Sequence, residues 1–271
     1  MGIRMGLDIG GSTTKVVTYQ NNQVGDYFLV KADDPVASAY GAVGKYLDLS
    51  RQIPEAIDQI MVTGVGASHL NGNILGRDTV VVSEFTSVGL GGLYLARKKS
   101  AIVVSMGTGT SFVDADEDKV THLIGSGVGG GTVLGLSESM LKLHDIDSFI
   151  SLLKVGKFEN VDLTVGDISK KEIPGLPMDT TASNFGKVND LATQADLAVG
   201  IVNLVFQSVG TAAVLCARQK GRDTVIFTGN LTRIKLGKLV LSGFSRLYGI
   251  NLIVPEHSEF ATAVGAVLQG D

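Results

Sequence analysis

The sequence predicts an α/β fold built from two similar halves. Three observations point there. β-branched runs alternate with helix-period segments along the chain, the order that builds sheets covered by helices. A strand–glycine turn–strand unit occurs twice: Asp8-Ile9-Gly10-Gly11-Ser12-Thr13 lines up with Ser105-Met106-Gly107-Thr108-Gly109-Thr110 at a constant offset of 97 residues. And 271 residues are too many for one comfortable core but suit two domains. The second unit starts near residue 100, so the expected division is 1–98 and 99–271.

Each element follows from local pattern. Residues 3–9 and 14–19 read as strands around the turn 10–13. Val36, Tyr40, Val43 and Leu47 share one face of a helix over 36–49. Strands follow at 58–63 and 79–83, then a helix at 84–98. Gly89, Gly91 and Gly92 weaken that helix by propensity but permit close packing. In the second half, Ala101 to Ser105, Thr110 to Ala115 and Lys119 to Ile124 read as strands. A glycine run over 125–131 opens a helix at about 131–143. Residues 162–188, with Pro174 and Pro177 and little periodicity, read as an ordered loop. A long helix spans about 190–219. Strand 223–228, turn 229–232, helix 233–248, strand 250–254 and helix 259–269 complete the chain.

Composition narrows the function classes. Hydrophobic residues make up 44% and charged residues 18%, a globular balance. Thirty-five Gly against 5 Pro indicate many tight turns. Net charge is −4 and the basic residues gather only at Arg97-Lys98-Lys99, which argues against a nucleic-acid partner. The single cysteine, Cys216, cannot form an internal disulfide and predicts a cytoplasmic setting. The N-terminus enters a strand pattern at once, so no secretory leader is expected. No stretch reads as reaching the ~20 apolar residues of a membrane span, so no membrane partner is expected.

The glycine turns carry the chemistry. After Asp8, Gly10 and Gly11 bare the backbone N–H groups, Ser12 and Thr13 add hydroxyls, and Lys15 adds a positive charge. Phosphate oxygens favour this combination, and Asp8 can hold Mg²⁺ directly or through water. Thr108 and Gly109 offer similar donors in the second turn, so the two turns can grip a polyphosphate from opposite sides. A plain hairpin is the alternative for each turn taken singly. Gly125, Gly127 and Gly130 match a dinucleotide fingerprint formally. However, hairpins precede the run rather than a βαβ unit, and a helix start at Gly130-Gly131 suits a nucleotide phosphate equally well. At Gly229 a flat base can approach the backbone, with Arg233 beside it. No Walker A pattern occurs. Glu84, at a helix start after a β-branched strand, is the candidate to take a proton from an acceptor hydroxyl, or else a simple first-turn carboxylate. His69, His122, His144 and His257 are scattered without ligand spacing.

As a set, Asp8-Ile-Gly-Gly-Ser, the second turn and Gly229-Asn resemble the phosphate and adenosine motifs of the acetate/sugar kinase, Hsp70 and actin superfamily. Ala263-Val-Gly265-Ala resembles its second connecting segment. Ser83-Glu84, Met106-Gly-Thr-Gly-Thr-Ser111, Gly125-Ser-Gly-Val-Gly-Gly-Gly-Thr-Val-Leu-Gly135-Leu, Ala182-Ser-Asn-Phe-Gly186 and Val225-Ile-Phe-Thr-Gly-Asn-Leu-Thr-Arg233 resemble, more specifically, type II pantothenate kinases. The match runs in order over nearly the whole chain.

The resemblance implies actin-like, duplicated ribonuclease-H-like domains with a nucleotide cleft between them. It implies ATP and Mg²⁺ as cofactors and phosphorylation of the 4′-hydroxyl of pantothenate, the first step of coenzyme A synthesis. It also implies a homodimer joined by the helix at 190–219. Glu84 falls on the family's catalytic base, Asp8 on the magnesium-associated acid and Lys15 on the phosphate-binding lysine. Thr108 and Gly109 fall on the second phosphate loop, Gly229 and Arg233 on the nucleotide motif, and Ala182 on the pantothenate pocket. Two departures stand out: His122 occupies the place of a substrate-binding Arg, and Phe260 that of a Tyr. The same superfamily admits two other readings. One is an ATPase activator of a radical dehydratase, which needs cysteines for an iron–sulfur cluster. The other is a catalytically weakened nucleotide- or CoA-binding homologue, or a kinase of a related alcohol.

Overall fold

Two five-stranded sheets carry the fold, and both have the same strand order. In the computed structural model, which describes residues 2–11, 13–31 and 34–270, β1 (Ile3–Ile9), β2 (Thr13–Gln20) and β3 (Gln23–Lys31) form an antiparallel meander. Helix α1 (Pro35–Ser50) crosses to β4 (Ile57–Thr63), which pairs parallel with β1, and β5 (Asp78–Val81) continues parallel from β4. The second half repeats this plan. After α2 (Glu84–Ala96), β6 (Ser100–Met106), β7 (Thr110–Asp116) and β8 (Val120–Ser126) form a second antiparallel meander.

A long excursion follows, through α3 (Gly130–Leu136), α4 (Ile146–Leu152), β9 (Leu163–Thr164), α5 (Val165–Ile168), β10 (Thr181–Ser183) and α6 (Gln194–Lys220). Then β11 (Thr224–Thr228) pairs parallel with β6, and α7 (Lys235–Tyr248) leads to β12 (Asn251–Ile253), parallel with β11. The orders β3-β2-β1-β4-β5 and β12-β11-β6-β7-β8 are one pattern written in opposite directions. This is the duplicated ribonuclease-H-like arrangement that the repeated glycine turn predicts.

Local chemistry sets the helix boundaries. Asp34 caps α1, accepting from the Ala37 N–H at 2.6 Å, and Pro35 fits the first turn, where no intrahelical donor is needed. Ser83 caps α2 by accepting from the Thr86 N–H. Thr193 and Asp196 form a reciprocal capping box at the start of α6, and Gly221 ends that helix in the left-handed conformation.

The structure departs from the sequence reading in four places. Pattern alone assigns neither β3 nor α4. The helix expected over 131–143 stops at Leu136 and closes with a π-turn over Ser137–Leu141. The segment 162–188 holds β9, α5 and β10 rather than loop alone. It is ordered by Asp162, which is fully buried and accepts from the Phe185 N–H (2.8 Å), Asn184 Nδ2 (3.3 Å) and Asn203 Nδ2 (2.5 Å). The expectation that no stretch reaches membrane-spanning length is also corrected. By length and composition α6 could cross a membrane, but 67% of its most apolar stretch is buried inside the protein, where it forms the spine of the second half's core.

The last helix, α8 (Ala261–Leu268), does not stay with the second sheet. It packs on β1 and β4 of the first sheet and lies across α2, which itself packs on β6 and β7 of the second. Their crossing is tight because it is made of glycine. A Cβ on Gly91 would overlap the Ala261 carbonyl, and one on Gly265 would overlap the Ser87 carbonyl.

Candidate functional site

The first glycine corner lies between β1 and β2. The Gly10 N–H donates to the Thr13 carbonyl at 2.9 Å, closing the turn, and Gly11 has open space around it. Ser12, singled out from the sequence, lies outside the described residues. Asp8 and Lys15 sit opposite each other in the strand register, and both are buried. The Lys15 ammonium donates to Asp8 Oδ2 at 3.1 Å. Such a pair is held firmly, because each buried charge would be left uncompensated without the other.

Glu84 begins α2 facing this pair. Solvent reaches it, yet the protein crowds its carboxyl. This burial, reinforced by the Asp8 carboxylate, raises its pKa above the ordinary value, against the opposing pull of Lys15. A carboxyl tuned in this way is a candidate proton acceptor. Its neighbour Phe85, 42% exposed, stacks on His122 of β8 with ring centroids 4.1 Å apart and planes 26° apart. Phe85 carries no signal in the sequence, because a lone exposed aromatic in a first helical turn has no pattern around it.

The second corner is buttressed from behind. Gly130 and Gly131 donate their N–H groups to the Gly107 and Thr108 carbonyls, both at 2.8 Å, and the Thr110 hydroxyl donates to the Val128 carbonyl at 2.8 Å. The two glycines therefore shape the corner instead of presenting free donors, which changes the part expected of them. A Cβ on Gly129 would stand 2.6 Å from the Thr108 carbonyl oxygen, so the run is bare because two backbones touch there. Thr108 itself is exposed on the open side of the turn.

A second duplicated feature was not found by sequence reading. Thr63-Gly64 ends β4 and Thr228-Gly229 ends β11, at equivalent places in the two sheets. Gly64 has φ +87° and Gly229 has φ +91°. A Cβ would stand 2.6 Å from the Ile9 carbonyl oxygen in the first case and 2.5 Å from the Met106 carbonyl oxygen in the second. Ile9 and Met106 are themselves related by the 97-residue offset. The Thr63 hydroxyl donates to the Val82 carbonyl at 3.1 Å, and the Thr228 hydroxyl to the Val104 carbonyl at 3.2 Å. The signal was available as Met-Val-Thr-Gly and Ile-Phe-Thr-Gly. It is hidden because the excursion between β8 and β11 breaks the constant offset.

Next to Gly229, Asn230 Oδ1 is the one buried side-chain polar atom without a hydrogen-bond partner among the described residues. Such an orphan acceptor is rare in native proteins and calls for a donor, from a ligand or an ordered water. Arg233, one turn on, is exposed.

The predicted residues thus fall into two groups. Asp8, Lys15 and Glu84 meet at the first corner. Thr108, Gly109, Gly130 and Gly131 meet at the second, with Gly229 against Met106. The Phe85–His122 stack joins the start of α2 to β8, whose end pairs with the second corner. Ala182 stands elsewhere, exposed on β10. It is next in sequence to Thr181, which with Thr180, Asn203 and Gln207 lines a hollow of about 1610 Å³ between the 172–181 segment, α6 and α7. None of the predicted site residues, Ala182 included, lines that hollow.

Comparison with known proteins matches residues 93–269 to the family model described as Fumble. A type II pantothenate kinase of Bacillus thuringiensis subsp. konkukian (strain 97-27) is 28% identical over 279 aligned residues, covering 97% of this chain and 96% of the relative. Among solved structures, the activator of the 2-hydroxyisocaproyl-CoA dehydratase from Clostridium difficile with bound ADPNP superposes with a TM-score of 0.70. It is 16% identical, covering 98% of this chain and 93% of that one. A ROK family glucokinase from Streptomyces griseus, in complex with glucose and AMPPNP, gives a TM-score of 0.63 at 12% identity, covering 99% of each chain. These superpositions establish the actin-like fold.

Proposed function

We propose, since the chain belongs to the Fumble family, that it transfers the γ-phosphoryl group of ATP to the 4′-hydroxyl of pantothenate. The observation that carries this reading is Glu84, held at the start of α2 with its carboxyl raised by burial and by Asp8. In this reading Glu84 takes the proton of the acceptor hydroxyl. The first corner, with Gly10, Gly11, Thr13 and Lys15, and the second, with Thr108 and Gly109, hold the phosphates. His122 is assigned to the acceptor; Ala182, which stands apart on β10, is not.

The residues present fit the cofactors. The unpartnered Asn230 Oδ1 beside Gly229 supports a nucleoside there, with Arg233 at its edge. Asp8 suits Mg²⁺, which takes only one or two protein carboxylates and otherwise keeps water and phosphate oxygens. Among the described residues no cluster of three or more His, Cys, Asp or Glu forms a closed metal cage. When bound, Mg²⁺ neutralises charge developing on the phosphate oxygens. Lys15, already drawn to the corner by Asp8, brings its charge to the same place.

We extend the proposal to architecture. Two domains, 1–98 and 99–271, enclose the nucleotide, and the protein is a cytoplasmic homodimer. Ser208, Thr211 and Leu215, exposed together along α6, support a pairing face. The likeness to a dehydratase activator has no matching residue support, since the one cysteine, Cys216, is buried in α6.

A screen of ADP release over pantothenate, pantetheine and simple hexoses tests the reading. The expected result is turnover with pantothenate and a product heavier by one phosphoryl group. Turnover confined to hexoses, or ATP hydrolysis indifferent to any alcohol, would overturn it.

A further inference from the structure

We propose that Phe85 is a positioning residue for the acceptor: stacked on His122, it fixes the imidazole in the cleft wall beside Glu84. The inference rests on the kinase reading above and adds a residue to it.

The backbone is built to make this contact. β8 is the edge strand of the second sheet and carries a register shift against β7. Phe112 pairs with Ile124, but the adjacent Val113 pairs with His122, leaving Leu123 as the extra residue of a bulge. Val113 lies in the cluster formed with Val88 and Leu93 of α2, so its face of the sheet is the α2 face. Phe112 lies in the cluster on the opposite face, and Leu123 packs there too. Residues directly opposite one another in a sheet share a face. In unbroken register Leu123 would oppose Val113 and point at α2. The bulge puts His122 there instead, the kind of re-aiming for which bulges are placed beside sites.

What His122 meets on that face is Phe85, at 4.1 Å between centroids. Neither ring is buried, so the stack is not a core contact: Phe85 is 42% exposed and His122 is exposed too. A stack of two open rings restrains the imidazole without hiding it. The polar ring edge stays free to bond an oxygen of the acceptor, and the aromatic face prevents it from turning away. Phe85 is also the residue after Glu84, so the same first turn of α2 aims the proposed base and anchors the imidazole. An acceptor that hydrogen-bonds His122 is thereby registered against Glu84.

Phe85→Leu tests this. Loss of an aromatic pair predicts a rise of about three- to tenfold in the acceptor KM, with kcat and the KM for ATP close to wild type. Phe85→Tyr, which keeps the ring, should restore the acceptor KM. The double variant Phe85→Leu/His122→Ala should be no worse than His122→Ala alone, because Phe85 acts only through His122. Independently of activity, the ring protons of His122 should show an upfield ring-current shift in NMR spectra that disappears in Phe85→Leu. His122→Gln assigns the resonance. Multiplying effects in the double variant, an equal rise in the KM for ATP, or an unshifted His122 signal would overturn the proposal. Failure of the kinase reading looks different: the wild-type protein itself would release no ADP in response to pantothenate. An inactive Glu84→Gln beside a silent Phe85→Leu would refute the positioning role alone.

Discussion

Glu84→Gln lowers kcat by about 10²- to 10⁴-fold, the range lost with a general base, while the KM for ATP stays close to wild type. The substitution keeps the shape of the side chain and the cap at Ser83, so α2 still begins where it does. What it removes is the capacity to accept a proton. The pH profile gives a second check. Burial and the Asp8 carboxylate raise the Glu84 pKa above the ordinary carboxylate value. The acid limb of the rate should therefore lie at higher pH than an unperturbed glutamate would give, and Glu84→Gln should abolish it. Stability follows with a definite sign. With its pKa raised, the folded state binds this proton more tightly than the unfolded state, so stability falls as pH rises from the unfolded value through the folded one. At neutral pH the variant should melt no earlier than wild type, and slightly later if anything. Undiminished turnover in steady-state assays would remove Glu84 from the reaction.

Gly265→Ala destabilises the protein by about 3 kcal/mol, the upper part of the range for overpacking a tight contact, which lowers the melting temperature by roughly 6–12 °C. The added methyl has nowhere to go. It meets the Ser87 carbonyl of α2, a backbone atom that cannot rotate aside. Gly91→Ala strikes the same crossing from the other helix, through the Ala261 carbonyl. The two variants should be less than additive, since the first already forces the helices apart. Thermal unfolding of the three proteins measures this. A loss below about 1 °C in either single variant would mean that the helices slide apart freely.

These glycines show how the sequence was legible and where it stopped being so. Reading along α2, Gly89, Gly91 and Gly92 count against a helix, since each lowers propensity. The segment reads as a helix despite them, since glycines also permit close packing. What no local reading supplies is the partner: Gly91 is explained only by α8, which begins 170 residues later. β3 was missed for a related reason. Gly25 and Asp26 weaken its pattern. The Asp26 N–H donates to Thr18 Oγ1 at 2.8 Å, and a Cβ on Gly25 would stand 2.8 Å from that oxygen. The strand is made by the neighbour it pairs with.

At the candidate site the motif-bearing residues were legible and the supporting ones were not. Asp8, Lys15 and Glu84 were named from type and spacing, and the structure gathers them at one corner. Gly130 and Gly131 suggested free donors, but their N–H groups are taken by Gly107 and Thr108. Sequence shows which groups a run carries, not which of them the fold has already satisfied. His122 was placed by motif, whereas the bulge that aims it and the Phe85 ring that holds it depend on strand register and helix entry.

The return of α8 to the first sheet also bears on how the chain assembles. A growing polypeptide makes β1 to β5 early, but one side of that layer stays uncovered until residues 261–268 arrive. The early half is therefore left with greasy flanks during synthesis, and its completion is tied to that of the late half. Removing the last helix would harm the sheet farthest from it in sequence.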